Sequence, residues 1–113
     1  MSISQFFRKT YNAESYNCGH FVCELWEHVT GQNIEHVAEA FRTKELSEYR
    51  PFHSLLSRLA EPSDPCLVVM RTQSIIPHVG VYIEGAVLHI TEDGVRHESI
   101  DVLEQTCKLS YFK

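Results

Sequence analysis

The hydrophobic period of the chain changes at Pro65, and the two sides of that change call for different structures. On the N-terminal side Asn17 is a good N-cap and Gly31 a good stop. Between them, at about 100° per residue, Cys18, Val22, Leu25 and Val29 fall on one line. Phe21 and Trp26 flank that line, and His20, Cys23, Glu24, Glu27 and His28 occupy the other side. The spacing predicts an amphipathic helix with Cys18 at its N-terminus, on the buried face. Residues 1–16 read as one helical turn and a loop. Val37, Ala38, Phe41 and Leu46 predict a second helix over 34–47, Arg50-Pro51 breaks it, and Phe52 to Leu59 predict a third, short one. After the turn signal Glu61-Pro62-Ser63-Asp64-Pro65, strands are predicted at Cys66–Arg71, His78–Ile83, Val87–Thr91, Val95–Ile100 and Leu109–Phe112. Glu84-Gly85 and Asp93-Gly94 mark hairpins. Helices followed by strands predict a single α+β domain over residues 1–113, its helices packed on a mostly antiparallel sheet.

Composition narrows the function. The 113 residues suffice for one real core without metal or disulfide staples. Ten Lys and Arg are scattered among 15 Asp and Glu, for a net charge of −5. No basic stripe exists, so neither nucleic acid nor an anionic membrane is an expected partner. No apolar run reaches the roughly 18 residues of a membrane helix. The stretch Met1-Ser2-Ile3-Ser4-Gln5-Phe6-Phe7-Arg8-Lys9 has neither an apolar h-region nor a small-residue cleavage site. The expectation is a chain that is cytoplasmic as synthesised, with Cys18, Cys23, Cys66 and Cys107 as free thiols.

Cys18 carries the sharpest chemical signal. At a helix N-terminus, unpaired N–H groups and the macrodipole favour an anion, which predicts a lowered thiol pKa. The competing reading is a small buried hydrophobe. A nucleophilic thiol needs a base, and the strands offer one. With the turn at Glu84-Gly85, Ile83 pairs with Ala86, Gly80 with His89 and His78 with Thr91. His78, Gly80, Tyr82 and His89 then share one face, and His78 and His89 are diagonal neighbours. Helix 17–30 must pack on the sheet, which sets Cys18 against His78 with His89 behind it: nucleophile, base and orienter. On one helix Cys18, His20, Cys23 and His28 point apart and cannot converge on a metal. A zinc ion on Cys18, His78 and His89 is the weaker alternative, because structural sites usually take a fourth ligand. His36, His53 and His97 read as solvated, with His97 facing away from His89. Glu24, Glu27, Glu35 and Glu39 read as a solvated acidic face.

Tyr16-Asn17-Cys18-Gly19-His20-Phe21-Val22 resembles the Cys-bearing helix start of the NlpC/P60 cysteine peptidases, usually DCSGFV. Pro77-His78-Val79-Gly80-Val81-Tyr82-Ile83 is similar to that family's HVGIY strand, and Leu67-Val68-Val69-Met70 to the strand before it. His89 stands where the family places its third polar residue. The Cys-first order matches as well, over roughly residues 11–91. The family's YxWGG stretch is missing, Asn17 replaces its Asp, Gly19-His20 its Ser-Gly, and Pro65-Cys66 its Gly-Asp.

The resemblance implies a papain-like NlpC/P60 fold with Cys18 as nucleophile, His78 as general base and acid, and His89 orienting His78. It implies an oxyanion held partly by the Cys18 backbone N–H, and Tyr11 or Tyr16 near the substrate, beside Asn17. The implied reaction is hydrolysis of an amide in a bacterial cell-wall (peptidoglycan) peptide, typically next to D-γ-glutamyl, with no metal or cofactor. A lone compact domain of this kind resembles those of bacteriophage tail and tail-assembly proteins, which implies a virion-associated hydrolase with tail proteins as partners. Two alternatives stand beside it. One is a non-enzymatic assembly protein on the same fold, docking through apolar surface in 34–60. The other is a thiol acyltransferase that differs only in the acceptor.

Overall fold

A computed structural model describes residues 2–35, 56–72 and 78–113. The capped segment forms helix α1, Cys18–Thr30, after a short 3-10 helix at Ser4–Arg8. Asn17 Oδ1 accepts the N–H groups of Gly19 and His20 at 3.0 and 3.3 Å. The Asn17 N–H in turn donates to His20 Nδ1 at 3.2 Å, so two orphan donors are satisfied reciprocally. The chain leaves the helix at Gly31, whose N–H closes on the Glu27 carbonyl at 2.8 Å.

The C-terminal half builds an antiparallel sheet from β1 (Arg58–Leu59), β2 (Cys66–Arg71), β3 (His78–Ile83), β4 (Ala86–Thr91), β5 (Gly94–Glu98) and β6 (Lys108–Phe112). Its order is β1-β6-β2-β3-β4-β5, with every pair antiparallel. The chain is therefore α+β, as its two periods predict. The helix expected over 34–47 lies almost wholly outside the described residues, as does the first part of that expected over 52–59. The end of the latter is corrected. Arg58 and Leu59 pair with Phe112 and Tyr111, and Ser57 and Lys113 exchange both backbone bonds at 3.0 Å, so sheet pairing overrides the local helical spacing. A short helix α2, Ile100–Leu103, was not expected. Ser99 ends β5 early and caps α2, its hydroxyl accepting the Val102 N–H at 3.3 Å.

The two faces of the sheet are covered differently. Phe21, Val22, Leu25 and Trp26 of α1 pack on Leu67, Val69, Val79, Val81, Leu88 and Ile90. On the other face Cys66, Val68, Met70 and Val87 meet Leu103 of α2, flanked by Tyr82 and Tyr111. Burial on both faces explains why Cys66–Met70 is apolar without alternation. Each such side chain contributes roughly 1.5–3 kcal/mol. Cys23, expected on the outer side of α1, is buried instead. Ile34, returning after Gly31, covers it, and its thiol donates to the Ile34 carbonyl at 3.6 Å.

The β3–β4 hairpin turns where expected. Glu84 and Gly85 have φ of 52° and 83°, both left-handed, as a two-residue type I′ turn requires. Gly85 adopts this conformation freely; at Glu84 it is held by a bond from its N–H to Asp64 Oδ2 at 2.9 Å. The predicted register is present at Ile83↔Ala86, Tyr82↔Val87 and Val81↔Leu88, but the ladder stops there instead of running on to His78. The β4–β5 turn is Glu92-Asp93, with Thr91↔Gly94, one residue earlier than predicted and with the same parity.

Candidate active site

Cys18 is the first residue of α1 and is half-buried against the α1 side of the core. The backbone N–H groups of Val79, Gly19 and Cys18 itself lie near its sulfur and favour the thiolate. The expected lowering of the thiol pKa is not found. Burial pushes the thiol up, and the three N–H groups offset only part of that cost.

His78 opens β3. By strand alternation it shares a face with Gly80, Tyr82, Val87 and His89. That is the α2 face, whereas the sequence reading set α1 and its Cys18 on it. The helix went to the other face because β3 offers Val79, Val81 and Ile83 there, an apolar surface that His78, Gly80 and Tyr82 do not supply. Cys18 therefore meets β3 at its backbone, one residue from His78, and no hydrogen bond joins the two side chains. Gly80 lets β4 come close: a Cβ there would stand 2.8 Å from Val87 Cγ1, 2.9 Å from the Leu88 carbonyl oxygen and 3.0 Å from His89 Cβ.

The two histidines do meet. His78 Nε2 and His89 Nδ1 are hydrogen-bonded at 2.9 Å, with ring centroids 5.0 Å apart and planes at 75°. His89 is 4% exposed, and its Nε2 bonds Glu98 Oε1 at 2.9 Å. Burial, reinforced by the neighbouring His89, lowers the His78 pKa to about 4, so its imidazole is neutral at pH 7. Burial also lowers His89, against the pull of the Glu98 carboxylate and with Arg96 adding to the depression. These bonds occupy both nitrogens of His89 and one of His78, which leaves the ring pair poorly disposed to hold zinc.

Glu98 was missed by sequence reasoning. The signal was present, because the parity of the second hairpin puts His89, Arg96 and Glu98 on one face. His97, on the opposite face, is not merely solvated: its Nε2–H donates to the Ile83 carbonyl at 2.8 Å and its ring meets Phe7. His36 and His53 lie outside the described residues.

The remaining site residues separate. Tyr11 borders a mostly apolar cleft of about 360 Å³ together with His78, His89, Met70, Ile90 and Leu103. Tyr16 points elsewhere: its hydroxyl donates to Glu24 Oε2 at 2.7 Å, and Lys9 holds Glu24 Oε1 at 2.8 Å. Burial and the bonded carboxylate raise the Tyr16 pKa far above the usual phenol value. Burial alone would lift Glu24, but Lys9 and the Tyr16 hydroxyl hold its carboxyl below the usual range, so it is no freely solvated acid. Asn17 is spent on the α1 cap. Cys18, Cys23, Cys66 and Cys107 are all free thiols. No protein-family model matches the chain, and no curated protein matches its sequence.

Proposed function

We propose that the chain is a cysteine hydrolase of the NlpC/P60 type that cleaves an amide in peptidoglycan peptides. The observation that carries this reading is the chain of two 2.9 Å hydrogen bonds, His78 to His89 to Glu98, beginning one residue from a half-buried thiol at a helix N-terminus. In this reading the two side chains, not hydrogen-bonded at rest, close up as the amide arrives, and His78 takes the Cys18 proton as the sulfur attacks the amide carbon. The C–N bond then breaks and His78 returns the proton to the departing amine. Water, deprotonated by His78, frees the acyl group and restores the thiol. The Cys18 N–H at the α1 start is a donor for the oxyanion, since the Gly19 N–H is held by the Asn17 cap. Burial raises the thiol and lowers His78, so the resting pair is neutral and the proton passes to His78 only as the sulfur bonds to an electrophile. No helix among the described residues is long and apolar enough to cross a membrane. The virion-associated setting, with tail proteins as partners, belongs to the same proposal.

The test is digestion of insoluble peptidoglycan by the wild type and by Cys18→Ala, with released peptides read by mass spectrometry. Release by the wild type alone supports the reading, and the fragment masses name the bond. No release, with Cys18 alkylated no faster than Cys107, overturns it in favour of an assembly protein. Transfer of the acyl group to an added amine in preference to water replaces hydrolase by acyltransferase.

A further inference from the structure

We propose that Glu98 is a positioning residue that, acting through His89, fixes which nitrogen of His78 is free to take a proton. Its catalytic consequence rests on the reading of Cys18 and His78 as nucleophile and base, but the tautomer assignment does not.

A carboxylate can only accept, so the 2.9 Å contact between Glu98 Oε1 and His89 Nε2 requires the proton on Nε2. His89 is buried, and Arg96, opposite it in the β4–β5 register, disfavours a positive charge on the ring. A neutral imidazole carries one N–H, so His89 Nδ1 presents a lone pair. The 2.9 Å contact from His78 Nε2 to that lone pair then requires the proton on His78 Nε2. His78 is neutral as well, which leaves its Nδ1 unprotonated. Among the described residues Nδ1 has no hydrogen-bond partner. One carboxylate on β5 thus sets two tautomers in succession and prepares Nδ1 as the base. Without Glu98, the reversed chain, with Nδ1–H on both rings, becomes available and His78 presents a proton where a lone pair is needed.

Long-range 1H–15N NMR on the full chain with 15N-labelled histidine, at pH 7.5, reads the tautomers directly. The wild type is expected to show Nε2–H on both His78 and His89. In Glu98→Gln, whose amide can donate as well as accept, and in Glu98→Met, which does neither, the Nδ1–H form of His78 is expected to rise. The rate of peptide release should fall roughly 10²-fold in step, as happens when a base is held in the wrong tautomer. The half-saturating substrate level should hardly move. Wild-type His78 protonated at Nδ1 overturns the proposal, and that measurement requires no variant to fold. An unchanged His78 tautomer in both folded variants overturns it too. Absent wall-peptide release by the wild type counts against the hydrolase reading alone, because the tautomers are still observed.

Discussion

Cys18 hangs from the capped end of a single helix, whereas His78, His89 and Glu98 are spread over three strands joined by two hairpins. The first is held locally: Asn17, one residue away, ties the Gly19 and His20 N–H groups and fixes the first turn that carries the sulfur. The second is held by register. His89 reaches His78 only because the Glu84-Gly85 turn sets Tyr82 against Val87, and Glu98 reaches His89 only because Thr91 pairs with Gly94. The burial that desolvates both ends has opposite consequences: it raises a thiol and lowers an imidazole, so both groups rest neutral. A helix end can thus present a nucleophile without activating it. The base must come from a network that local sequence does not build.

That contrast can be broken from either side. His89→Ala cuts the strand network and leaves the helix end intact. Peptide release is expected to fall roughly 10²–10³-fold with the melting profile of α1 unchanged by circular dichroism. Gly80→Ala forces a methyl against Val87, the Leu88 carbonyl and His89. Urea denaturation should register a loss of about 1–3 kcal/mol, and displacement of β4 should lengthen the His78–His89 bond, visible as altered ring-proton shifts. Asn17→Ala removes the cap and should cost about 1 kcal/mol in the same assay. The histidine tautomers should stay as they are, since the two ends are built independently.

A separate effect appears with pH. His78 has a folded pKa of about 4 against 6.5 for the free side chain, so between those values the unfolded chain binds the proton that the folded chain refuses. Stability is therefore full above pH 6.5 and declines as pH falls towards 4, with His89 adding in the same direction. Replacing His78 by Gln should flatten the urea midpoint across that window. A midpoint equally steep in the variant would assign the decline to other groups.

The helix end was legible because its signals are local: an N-cap, a stop glycine and a stripe at helical spacing. The first hairpin was legible for the same reason, since Glu84-Gly85 both ends β3 and fixes its register. What escaped depended on distant partners. Arg58 and Leu59 look helical until Phe112 and Tyr111, more than fifty residues later, claim them for the sheet. The face chosen by α1 was misread because the sequence offered a reason to put Cys18 beside His78, whereas packing is decided by the larger apolar area of Val79, Val81 and Leu88. Glu98 was overlooked although the parity was available, because one acid in a charged chain carries no signal until register gives it a neighbour.

If the thiol and the strand network work as one device, the rate at which Cys18 is alkylated depends on His78. Wild type and His78→Ala would be treated with iodoacetamide at pH 7, and Cys18 modification followed by peptide mass spectrometry, with Cys107 as internal reference. Cys18 in His78→Ala is expected to react at least roughly tenfold more slowly while Cys107 is unchanged. An equal Cys18 rate in the two proteins would contradict it, leaving the sulfur and the histidines as neighbours without a common task.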